Sequence, residues 1–64
     1  MLKDKNNERV FVGDIVWYGI GKARKSYIVN VLNPTTKRVG IVSTDERKLH
    51  LNINATAINC EWAK

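Results

Sequence analysis

Short apolar runs alternate with clusters of turn-forming residues along this chain, and no eleven-residue window carries an apolar stripe at helical spacing. Ile15-Val16-Trp17-Tyr18 is β-branched and aromatic, as a strand prefers, and Gly19 and Gly21 end it. Ser26 to Leu32 and Arg38 to Ser43 are two further strand-like runs. Between them lies Asn33-Pro34-Thr35-Thr36, a strong turn signal, so the pair reads as a hairpin. After the polar turn Asp45-Glu46-Arg47, residues Leu49, Leu51 and Ile53 alternate with His50, Asn52 and Asn54. That is the period of a half-buried strand, and it predicts one apolar and one polar face. Ala55 to Ile58 closes a helical or 3-10 turn before a short last strand from Asn59 to Trp62. Strands recur at about eight-to-twelve-residue spacing with no internal repeat, as in a small all-β barrel or sandwich.

The ends and the composition bound the rest. Residues 1–8 read as a flexible polar arm, because Lys3, Asp4, Lys5, Asn6, Asn7 and Glu8 offer nothing to bury, and the domain proper runs over residues 9–64. With 64 residues this is one domain, near the size at which a chain buries only about 60% of its unfolded surface. At 44% hydrophobic residues it has material for a core. Cys60 is alone, so no intrachain disulfide forms and a reducing cytoplasm is the expected compartment. The polar start carries no apolar run of signal-peptide or membrane-span length, so no membrane partner is expected.

Val12-Gly13-Asp14-Ile15-Val16, a Gly- and Lys-rich loop, two strands joined by a turn, an alternating fourth strand and a short turn before a last strand resemble a small bacterial SH3-like barrel. The resemblance spans about residues 9 to 63, and Gly13, Asp14 and Val16 match the hydrophobic-Gly-Asp-x-Val start common in such domains. It implies a five-stranded SH3-like barrel with a short 3-10 turn before the last strand, and an inward-facing Val16. The organisation is KOW-like. Where the KOW class carries a Gly followed by a hydrophobic residue between its first two strands, however, Gly21 is followed here by Lys22-Ala23-Arg24-Lys25. RNA binding is therefore not carried over from that class.

Charge sharpens the functional expectation. Between Ile15 and Thr44 stand Lys22, Arg24, Lys25, Lys37 and Arg38 with no acidic residue, while the rest of the chain balances six basic against six acidic residues, so the net +5 is local. A local field of one sign attracts a polyanion, and nucleic acid is the first candidate. In a meander, alternate loops lie at opposite ends. Lys22, Arg24 and Lys25 then share one end with Asp45, Glu46, Arg47 and Lys48, and Lys37 and Arg38 lie at the other. A strand reaching both sets crosses about 17 to 20 Å, a few nucleotides. Arg24 and Arg38 suit bidentate phosphate contacts, and the lysines act as mobile point charges.

An exposed aromatic on that path would add base stacking, about 1 to 3 kcal/mol per base. Trp17, Tyr18 and Tyr27 are the candidates. Adjacent strand residues face opposite sides, so if Val16 points inward Tyr18 follows it and Trp17 faces out; the alternative places Trp17 in a core short of bulk. Trp62 is expected to clamp the end of the fold.

No catalytic constellation is present. Gly19-Ile20-Gly21-Lys22 lacks the spacing and the Ser or Thr of a phosphate loop. His50 and Cys60 are single, too few for a His/Cys metal site, and Cys60 reads as a buried structural thiol. Neither enzymatic activity nor a cofactor or metal is expected. The expectation is a small cytoplasmic binding module that contacts nucleic acid or a nucleoprotein complex through Trp17, Lys22, Arg24, Lys25, Tyr27, Lys37 and Arg38. The alternative is a protein-protein interaction module, such as an accessory factor of a phage or mobile element, that binds an acidic protein.

Overall fold

The computed structural model describes residues 2–60. Four strands, β1 (Ile15–Tyr18), β2 (Lys25–Asn33), β3 (Arg38–Ser43) and β4 (Leu49–Asn54), form an antiparallel meander. A two-residue strand, β5 (Asn59–Cys60), adds to the outer edge of β1, giving the order β4-β3-β2-β1-β5. The only helical elements among the described residues are two 3-10 turns, Gly21–Ala23 and Ala55–Ala57. The strands thus lie where the apolar runs placed them. Closure differs from the expectation: β4 and β5 do not pair among the described residues, so the domain is an open sheet and not a closed barrel. The two described residues of β5, Asn59 and Cys60, pair with Trp17 and Val16 of β1. The expectations placed on Trp62 and on the Cys60 thiol fall outside what is described.

Val16, Tyr27, Val29, Val39, Ile41 and Ile58 form the buried centre, with Tyr18, Leu32 and Ile53 packed against it. Val16 is fully buried and Tyr18 joins it on the core side, the phase expected for β1. Two bulges then set which residues of the other strands face inward. On β2 an extra residue between Val29 and Val31 turns Val31 outward and Leu32 inward.

On β4 the equivalent extra residue overturns the simple alternation. Ile41 pairs with His50 and Val39 with Ile53, so three steps on β4 match two on β3, and Asn52 takes a left-handed φ of 60° to absorb the difference. Ile53 therefore faces the core, whereas Leu49 and Leu51 face solvent at 52% and 58% exposure. His50, expected on the polar face, instead packs edge-on against Tyr27 with ring centroids 5.5 Å apart. The outward side chains align across the sheet: Ile15, Ile28, Val42 and Leu49 are successive cross-strand partners. Val31 and Leu51 close over Gly40 beside that row.

The amino-terminal segment corrects a second expectation. It is not a loose arm. Leu2 and Val10 lie in the core cluster and Lys3 bridges Arg9 across a turn. Asp4 Oδ1 accepts the backbone N–H groups of Asn6 (2.8 Å) and Glu8 (2.9 Å), which lets a carboxylate be buried without losing its hydrogen bonds. Lys5 N–H donates to the carbonyl of Ile58 at 2.8 Å and fastens the turn to the segment before β5.

Candidate nucleic-acid interface

The two ends of the meander are built by different means. At one end the β2–β3 turn follows Asn33, whose Oδ1 accepts from Thr36 N–H, and Lys37 takes a left-handed φ of 58°. The Lys37 carbonyl accepts the N–H of Ala55, which ties this turn to the second 3-10 turn. Asn54 caps that turn: its Oδ1 accepts from both the N–H and the hydroxyl of Thr56, at 3.0 and 2.8 Å. At the other end the β1–β2 loop closes on itself, with Ala23 N–H on the Ile20 carbonyl and Arg24 N–H on the Gly21 carbonyl.

Two clefts result, and they share Thr56 as a common wall. The first, about 450 Å³, is lined by Leu2, Lys3, Thr36, Lys37, Arg38, Asn54, Ala55 and Thr56. The second, about 590 Å³, is lined by Lys5, Trp17, Tyr18, Gly19, Ile20, Ala23, Arg24, Thr56, Ala57 and Asn59. Five cations, Lys3, Lys37 and Arg38 in the first cleft and Lys5 and Arg24 in the second, thus line the two clefts on either side of Thr56, with no Asp or Glu among the described lining residues. The nearest acid in sequence, Asp4, turns its Oδ1 to the backbone of its own turn.

No protein-family model, curated protein or solved structure matches this chain. What the clefts can hold follows from their own side chains.

Trp17 is half-buried and lines the second cleft, with the Arg24 guanidinium carbon 5.6 Å from the centre of its ring. At that distance the guanidinium lies against the indole face, a contact of about 0.5 to 1 kcal/mol at an exposed site. Arg38 is held as well, since its Nη1 donates to the Asn52 carbonyl at 3.4 Å. Lys22 is exposed on the first 3-10 turn and lines neither cleft.

Besides Lys22, two further residues expected in the site line neither cleft. Tyr27 is 6% exposed and sits in the core between Tyr18 and His50, both edge-on, at 5.9 and 5.5 Å. It presents no ring face to a base. Its inward phase follows from its pairing with Val16, which faces the same side. Lys25 is spent in the molecule, with its Nζ 3.4 Å from Asp45 Oδ2 and 3.5 Å from Glu46 Oε1. Partial desolvation draws its pKa down, but the hydrogen bond and charge of Asp45, with Glu46, outweigh this and hold the ammonium above its ordinary value. Asp45 is held below its ordinary value, chiefly by the N–H of Glu46 and then by Lys25.

Conversely, Lys3 and Lys5 were not among the expected residues, because in sequence they are interleaved with Asp4 and Glu8. The signal that bears on them is local turn chemistry: an Asp two residues before Asn-Asn, flanked by Leu2 and Val10, marks a closed turn with apolar feet.

Proposed function

We propose that this chain is a small binding module, not an enzyme, whose ligand is single-stranded nucleic acid laid through the two clefts. The observation that carries the reading is the lining of the two adjoining clefts: five cations, no carboxylate among the described lining residues, and Trp17 on the wall of the second. The phosphates run past Lys3, Lys37 and Arg38, cross Thr56, and reach Lys5 and Arg24. The sheet order with a 3-10 turn before β5 supports an SH3-like organisation of the module. A cytoplasmic location fits a lone cysteine.

The test is a titration of a labelled oligonucleotide over a range of salt. If the five cations each meet a phosphate, the slope of log K against log salt is about −3.5, at about −0.7 per contact for a single strand. Arg38→Ala makes the slope shallower by about 0.7, while Lys25→Ala leaves it unchanged because that residue lines neither cleft. Absence of binding at low salt refutes the reading.

A second reading, an acidic protein as partner, is favoured by the apolar outer row of Ile15, Ile28, Val42 and Leu49, which a nucleic acid would not use. A pull-down with and without nuclease separates the two, since a partner lost on nuclease treatment was bridged by nucleic acid.

A further inference from the structure

Ile20 is 90% exposed, the highest exposure of the chain's large apolar residues among those described, and so contributes nothing to the core. A single exposed apolar side chain is ordinary. This one differs in two respects. It lines the second cleft together with Trp17, and its backbone is set there: Ala23 N–H bonds its carbonyl at 3.1 Å, closing the loop into a 3-10 turn. Gly19 makes the closure possible, since a Cβ there would lie 2.7 Å from the Ala23 oxygen, at a φ of +109°. The loop therefore sets the backbone of an exposed apolar residue at the mouth of a cleft that an indole and the cations Arg24 and Lys5 also line.

We propose that Ile20 and Trp17 form a jaw that takes one unpaired base, while Arg24 and Lys5 meet the adjoining phosphates. The consequence is selection of single strands over duplex, because a paired base is stacked within its helix and cannot enter an apolar jaw without being extruded. This deepens the nucleic-acid reading and rests on it.

The experiment compares three probes on the intact chain: a labelled oligothymidylate of about ten nucleotides, an abasic strand of equal length and charge, and a duplex of that length. Oligothymidylate is expected to bind about tenfold tighter than the abasic strand, with the same salt slope for both. Ile20→Ser is expected to abolish that preference without changing the slope or the thermal midpoint, and Ile20→Val to retain it. Equal affinity of the wild type for oligothymidylate and abasic strands, or an Ile20→Ser variant that keeps the full preference, overturns the jaw and leaves the phosphate path standing. If no probe binds at low salt, the path is refuted together with the jaw.

Discussion

Leu2 is where the structure departs most sharply from the polar look of the amino-terminal segment, and truncating it gives a quantitative test. Its side chain is 5% exposed and belongs to the same cluster as Val10 and Ile58. Replacing a buried Leu by Ala costs about 2 to 5 kcal/mol, so the least effect expected here is about 2 kcal/mol. A chain of 64 residues has a total stability of about 3 to 10 kcal/mol, so this is a substantial fraction. For a domain of this size it lowers the thermal midpoint by about 8 to 16 °C. The assay is thermal unfolding followed by far-UV circular dichroism, with Leu51→Ala as control. Leu51 is 58% exposed, and its truncation is expected to shift stability by no more than about 0.5 kcal/mol. Because Leu2 and Lys3 line the first cleft, Leu2→Ala also weakens oligonucleotide binding. A Leu2→Ala midpoint within about 2 °C of wild type would refute the packing argument and restore the expectation of a flexible polar arm over residues 1–8.

Tyr27→Phe is expected to leave both stability and oligonucleotide affinity close to wild type, whereas Tyr27→Ala costs about 3 to 5 kcal/mol in denaturant unfolding, as a core ring should. Gly19→Ala destabilises more than Gly40→Ala in the same measurement. The first sets a Cβ against backbone at positive φ; the second meets at 3.0 Å the tip of Leu51, a side chain that can move. The Lys25–Asp45 contact makes a pH prediction. Asp45 has a folded pKa below its ordinary 3.8, so its contribution is present above that value and is lost as pH falls through the folded pKa. The difference in thermal midpoint between wild type and Asp45→Asn therefore narrows below about pH 4, and a difference that stays constant into acid would contradict the lowered pKa of Asp45, which the Glu46 N–H and then Lys25 account for.

How much of this was legible from the residues can be judged strand by strand. Gly19, Asn33-Pro34 and Asp45-Glu46 interrupt the apolar runs, and the strands begin and end close to them, because turn formation is decided within a few residues. That Val16 and Trp17 face opposite sides was likewise legible, since alternation along one strand is local, but which of the two is buried was left open by the residues and was decided by the fold. The face of β4 was not: a single extra residue at Asn52 flips every side chain beyond it, and the apolar pattern Leu49, Leu51, Ile53 looks the same with or without the bulge.

The candidate site divides in the same way. The sequence by itself determined a β-rich domain, an excess of cations between Ile15 and Thr44, and Trp17 on the strand face opposite Val16. Tertiary structure decided which of those cations matter. Lys25 is neutralised by carboxylates twenty residues away, Tyr27 is taken into the core, and Lys3 and Lys5 are carried onto a path with Lys37, Arg38 and Arg24 by a turn anchored through Leu2. The physical reason is that turn and strand preferences are local, whereas charge pairing and burial depend on distances set by strand register, which residues far apart in the chain determine together.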